Sequence, residues 1–96
     1  MRLDEGPFER TKRGEKNIEF RVNDEKRRLI KVGDEIVFSK RPELKENIRV
    51  KVTALEHFYS FDALLKRYPD QKSIENRYSS EEEKKYGLVA IRFVSS

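Results

Sequence analysis

The stretch Asn47–Phe58, NIRVKVTALEHF, constrains the fold more than any other part of this chain. Ile48, Val50 and Val52 alternate with Arg49, Lys51 and Thr53, the period-two pattern of a strand with one face buried and the other in water. Such a strand needs partners for its backbone groups and cover for its apolar face, so the chain must contain others. Three further runs supply them. Residues 17–22 alternate Ile18, Phe20 and Val22 with Glu19 and Arg21, and residues 36–39 follow a turn at Val32-Gly33-Asp34-Glu35. Residues 88–94 are apolar on both faces near their middle, which predicts a central strand.

Helical signals lie between these runs. Pro7 followed by Phe8-Glu9-Arg10-Thr11-Lys12-Arg13 and closed by Gly14 reads as a short helix. Asn23-Asp24-Glu25-Lys26-Arg27-Arg28 opens with capping residues and predicts one helical turn, after which Leu29, Ile30 and Val32 are expected to re-enter the core. Ser60 is the expected cap of a helix over residues 61–67, with Asp62 in its first turn and Pro69 beyond its end. Ile74 and Tyr78 suggest the anchors of another short helix. Ser79 or Ser80 with Glu82 or Glu83 forms a capping box, and Gly87 closes that helix. Strands and helices do not alternate as in a doubly wound sheet. The tally is four strands and two or three short helices, and the expected class is α+β, mainly β: a small, mainly antiparallel barrel with helices plugging its ends.

Bulk composition narrows the function classes. Ninety-six residues, 35% hydrophobic and 42% charged, describe a single domain over residues 1–96 with a small core and a densely charged surface. The mean hydropathy of −0.91 raises disorder as a competitor. Six Phe, four Tyr and the strand alternations decide against it, because disordered chains lack such residues. The absence of cysteine excludes disulfides and thiolate chemistry and accords with a cytoplasmic setting. No apolar run approaches the ~20 residues of a membrane span, and none reads as the apolar h-region of a signal peptide. A net charge of +4, from 22 basic and 18 acidic residues, permits nucleic-acid binding without demanding it.

Generic enzyme motifs are missing. His57 is the sole histidine and has no cysteine to join it, so no metal site is expected, and no cofactor. His57, Ser60 and Asp62 carry the names of a hydrolase triad, yet they fall within six residues and Ser60 is better explained as a cap. The glycines are isolated and cradle no phosphate. Two basic clusters remain. Lys26-Arg27-Arg28 with Lys31 lies in the first connection, and Lys40-Arg41, Lys45, Arg49 and Lys51 surround the third strand. On one side of the molecule they would form a phosphate-contacting face; on separate sides they would be solvated surface balanced by neighbouring carboxylates. Tyr59, Tyr68, Tyr78 and Tyr86 are either stacking platforms for bases or boundary residues of the core, with Tyr68 and Tyr86 expected in the core.

The order of motifs is distinctive. PFERTKRGEKNIEFRVNDEKRRLIKVGDEIVF, with Pro7, Phe8, Gly14, Lys16, Ile18, Glu19, Arg21, Asn23, Asp24, Val32, Gly33, Asp34, Ile36 and Phe38 in the matching positions, resembles the front half of an ASCH domain. HFYSFDALL and YSSEEEKKYGLVAIRF are similar to its back half. The resemblance implies a PUA-like small β-barrel of about five or six mixed, mostly antiparallel strands with two or three short flanking helices, binding RNA or a nucleotide in a cleft beside the first helix and strand. It places Lys16, Glu19 and Arg21 in that cleft with Tyr78 and Ser79 opposite; Lys26, Arg27 and Arg28 of the first basic cluster are the further nucleic-acid contacts expected from their charge. Glu19 would accept from a base amine while Arg21 and Lys16 donate. The same charges also read as a structural salt bridge at the barrel mouth, and both readings can hold together.

One branch of the family resembles an amidohydrolase acting on N-acylated cytidine, with a lysine activating a threonine in G-x-K-T-x-T-x-R. Here Lys16 matches the lysine, but Asn17 and Glu19 stand at the threonine positions, leaving Lys16 and Glu19 as the catalytic pair of an alternative reading, a hydrolase acting on a modified nucleoside or on RNA. A protein–protein adaptor is the third class. Arg2-Leu3-Asp4 reads as a shortened version of the family's first strand, and a sheet edge left uncovered there would make the protein a monomer or a weak homodimer.

Overall fold

Residues 88–95 form the strand on which the architecture turns. In the computed structural model, which describes residues 1–71 and 79–95, this strand is hydrogen-bonded on both sides and buried on both faces. The five strands are β1 (Arg2–Leu3), β2 (Ile18–Val22), β3 (Glu35–Lys40), β4 (Asn47–Phe58) and β5 (Leu88–Ser95). They form one mixed sheet in the order β1-β3-β4-β5-β2. β1 runs parallel to β3, and every other pairing is antiparallel. The sheet curls into a half-barrel accompanied by three helices, α1 (Glu5–Lys12), α2 (Phe61–Arg67) and α3 (Ser80–Tyr86). This is the α+β, mainly antiparallel architecture that the strand and helix signals predict.

The apolar pattern of β5 serves two cores. Val89, Ile91 and Phe93 point into the hollow of the half-barrel with Leu3, Phe8, Ile36, Phe38, Val50 and Val52. Leu88 and Ala90 point the other way and pack with Phe20, Val22, Phe61 and Leu64. Each fully buried Phe, Leu, Ile or Val of this kind stabilises by roughly 1.5–3 kcal/mol. Tyr68 and Tyr86 pack at the boundary of the second core, whereas Tyr59 is 97% exposed.

The helices close the ends. α1 begins at Glu5, two residues before the proline that marks it in sequence, because Pro7 tolerates any position in the first turn. Its Phe8 enters the barrel core, and the buried Thr11 hydroxyl donates to the Pro7 carbonyl at 2.9 Å. Lys40 Nζ donates to Glu9 Oε1 at 2.9 Å and ties α1 to β3. Ser60 Oγ accepts from the Ala63 N–H at 3.1 Å and caps α2. Ser79 and Glu82 form the full capping box of α3. Gly87 follows α3 at φ 71°, and an added Cβ would lie 2.6 Å from the Phe58 carbonyl oxygen. Glycine is therefore required where β4, α3 and β5 meet.

The connection after β2 departs from expectation. Residues 27–29 form a 3₁₀ turn, but Leu29 is 76% and Val32 62% exposed; only Ile30 packs against the core. Asp34 Oδ2 accepts from the Lys31 N–H and Gly33 adopts φ 97°, so the chain rounds the barrel end as a tight loop and turns one apolar side chain inward instead of three. The helix expected around Ile74 and Tyr78 lies outside the described residues.

Candidate functional site

β2 carries the first part of the site because its alternation separates two chemistries. Ile18, Phe20 and Val22 face the second core, leaving Glu19 and Arg21 on the opposite face. That face is not solvated. Glu19 is 3% exposed, and Lys16 Nζ donates to its Oε1 at 2.7 Å while Arg21 Nη2 donates to its Oε2 at 3.0 Å. Burial pushes the Glu19 pKa up, but the charges of Lys16 and Arg21 and their hydrogen bonds outweigh it and hold the carboxyl below the usual glutamate range. The salt bridge foreseen at the barrel mouth is therefore present.

The curl of the sheet brings its two edge strands, β1 and β2, to face each other across a seam. Among the described residues no backbone ladder joins them; the Arg21 guanidinium does, donating from Nη2 to the Arg2 carbonyl oxygen at 3.1 Å. A cavity of about 380 Å³ opens on this seam, lined by Arg2, Leu3, Asp4, Pro7, Glu19, Phe20, Arg21 and Arg41. A second, of about 740 Å³, adjoins it and shares Arg2, Arg21 and Arg41 while adding Lys26 and Arg27. The two form one cleft beside α1 and β2 whose walls carry five cationic side chains and the carboxylates of Asp4 and Glu35, with the buried Glu19 at its floor; Lys16 bonds Glu19 but does not line the cleft. The Met1 ammonium reports the resulting field: burial and the guanidiniums of Arg21, Arg27 and Arg2 push its pKa down.

Arg2 and Arg41 are the cleft residues that sequence reasoning left out of the site. Arg2 sits on a two-residue strand too short to show a period. Arg41 belonged to a recognised basic cluster, but only the parallel pairing of β1 with β3, Arg2 opposite Ser39, brings it to the seam. The other members of that cluster separate: Lys40 is held by Glu5, Glu9 and Glu46, and Arg49 lies 3.9 Å from Glu35.

The remaining candidates also divide. Arg28 turns away from Lys26 and Arg27; its Nε donates to the Asn23 carbonyl oxygen at 2.9 Å, and it lines a different cavity with Tyr86. Ser79 is exposed, its Oγ accepts from the Glu82 N–H at 3.1 Å, and it lines none of these cavities. Tyr78 lies outside the described residues. His57 is exposed at the end of β4, and Ser60 is committed to capping α2. Among the described residues no cluster of His, Cys, Asp or Glu has the makings of a metal site, and no helix is long and apolar enough to cross a membrane.

The half-barrel defines a class of small α+β domains rather than an individual activity. Its members include two solved structures that overlie nearly the whole chain. One is the crystal structure of hypothetical protein PH0355, 39% identical with a TM-score of 0.78, the match covering 100% of this chain and 96% of that one. The other is the solution NMR structure of protein PF0455 from Pyrococcus furiosus, 34% identical with a TM-score of 0.65, covering 99% and 97%. No curated protein matches the chain. The family model of the ASCH domain matches residues 1–95. The chain belongs to the ASCH domain family, which is associated with RNA binding.

Proposed function

We propose that this domain binds single-stranded RNA or a nucleotide in the seam cleft, acting in the cytoplasm as a binding module. The observation that carries the reading is the convergence of Arg2, Arg21, Arg41, Lys26 and Arg27 on one cleft. These side chains come from four separate parts of the chain. Positively charged walls attract the phosphate backbone without regard to sequence, and a buried acceptor at the floor is suited to reading a base edge. Each Glu19 oxygen accepts one protein donor, and a carboxylate has capacity for about four hydrogen bonds in all. Lys16 and Arg21 thus fix the carboxylate and leave it able to accept from an exocyclic amine. Arg28 does not belong to this clamp.

The hydrolytic alternative, with Lys16 and Glu19 as a catalytic pair, receives less support. A general base works best with a pKa near the operating pH, and Glu19 is displaced in the opposite direction. Its role as an electrostatic anchor and base acceptor fits that displacement.

The test is the affinity of a short, labelled single-stranded RNA measured by fluorescence anisotropy over a range of salt. Replacing Lys26 and Arg27 together by alanine is expected to reduce the magnitude of the salt slope by about 1.4, since each lost phosphate contact on a single strand removes about 0.7. Binding that ignores both salt and this double variant would overturn the reading.

A further inference from the structure

A second cavity, of about 410 Å³, lies on the other side of the loop that follows β2 and shares no lining residue with the seam cleft. Its walls are Asn23, Arg28, His57, Phe58, Tyr59, Lys84, Lys85, Tyr86 and Gly87. In a chain where 42% of residues are charged, this set holds three cations and no carboxylate. Arg28, Lys84 and Lys85 form no salt bridge among the described residues, whereas most cations near the other cleft do. Among the described residues, then, no carboxylate lies in ion-pair contact with the cations of this pocket.

Three further features make the pocket specific to more than an anion. The Tyr59 ring stands 97% exposed at its rim, an aromatic face with nothing packed on it. Arg28 and Lys85 sit 5.8 Å and 5.2 Å from the centre of the Tyr86 ring, which holds both cations over an aromatic surface. The Asn23 carboxamide oxygen is buried with no hydrogen-bond partner among the described residues. An unmet acceptor of that kind is costly, and the terminal torsion of an amide is soft enough for a donor entering the cavity to reach it. The floor is rigid as well, because the Asn23 N–H donates to the Gly87 carbonyl oxygen at 2.9 Å and Gly87 is wedged against Phe58.

Cations outside any salt bridge among the described residues, an open aromatic face and an unfilled amide acceptor together match one ligand chemistry: an aromatic base with an adjoining phosphate. We propose that this cavity is a second nucleotide-binding subsite, in which a base stacks on Tyr59 and its phosphate is held by Arg28, Lys84 and Lys85. The ligand is either a free mononucleotide or one residue of a single strand. The assignment does not rest on the reading of the seam cleft, which is built from other residues.

The experiment is an amide NMR titration of the labelled protein with AMP and, in a separate arm, with a short single-stranded RNA. Shifts of Tyr59, Tyr86 and Gly87 with AMP identify a free nucleotide as ligand; the same shifts with RNA alone identify a strand. In either case Tyr59→Ala and the double variant Lys84→Ser with Lys85→Ser, all at exposed positions, are expected to weaken the responsive ligand by about tenfold, the scale of one lost stacking contact. The proposal is overturned if neither ligand moves these amides, or if both variants retain the parental affinity. Shifts at Arg2, Glu19 and Arg21 report separately on the seam cleft, so failure of one site leaves the other measurable.

Discussion

Glu19 shows how one residue can satisfy two demands. Its carboxylate holds Lys16 and Arg21 in place, and the same arrangement keeps it ionised in a buried position. Removing one partner of a buried ion pair leaves uncompensated charge, so Glu19→Gln is expected to destabilise the protein by about 2–4 kcal/mol at neutral pH, measured by urea denaturation. The pH dependence has a definite sign. Because the folded pKa lies below the unfolded one, the stabilisation is fully present above the ordinary glutamate value of about 4.3 and disappears as pH falls through the depressed folded value. The parental protein should therefore lose more stability than the Gln variant on acidification from pH 6, roughly, into the region below the ordinary carboxylate pKa. Parallel pH profiles for the two proteins would show that the pair does not act this way.

At the level of elements, the strands were legible because apolar alternation is a local signal; Ile48, Val50 and Val52 announced β4 without help from the rest of the chain. Caps were legible for the same reason. Ser79–Glu82 and Ser80–Glu83 both stand three apart, so a capping box was legible, and the structure forms it with the first pair. Ser79→Ala should lower stability by about 1 kcal/mol, read as a fall in Tm, while leaving RNA affinity unchanged. An affinity loss beyond that of a matched destabilised variant would instead give this hydroxyl the binding role that family resemblance suggests. The site was less legible. Lys16, Glu19 and Arg21 lie within six residues and could be read as a unit, but Arg2 and Arg41 join them only through the crossing of β1 to β3, a non-local pairing. The split of Lys26 and Arg27 from Arg28 was equally hidden, because three adjacent cations carry no mark of which way a tight loop will turn each one. Leu29 and Val32 misled for a related reason: apolar identity does not place a side chain in the core when a turn faces it outward.

For the whole molecule, the sheet order determines where the fold can give. β5 is bonded to neighbours on both sides, and β4 pairs with β3 and β5, so these strands are protected by ladders and by two cores. β1 is two residues long and lies at the sheet edge. Native-state hydrogen exchange should accordingly release the amides of β1 well before those of β5, and bound RNA should slow the former selectively. Uniform exchange along the sheet would contradict this ranking. The join between β1 and β2 is made by the Arg21 side chain and not by a ladder. Widening it breaks a few charged contacts while the rest of the barrel keeps its backbone hydrogen bonds. The mouth is thus closed by a side chain that Glu19 holds in place, so acid that protonates Glu19, or a phosphate that competes for the Arg21 guanidinium, is expected to loosen it while the strand ladders stay intact.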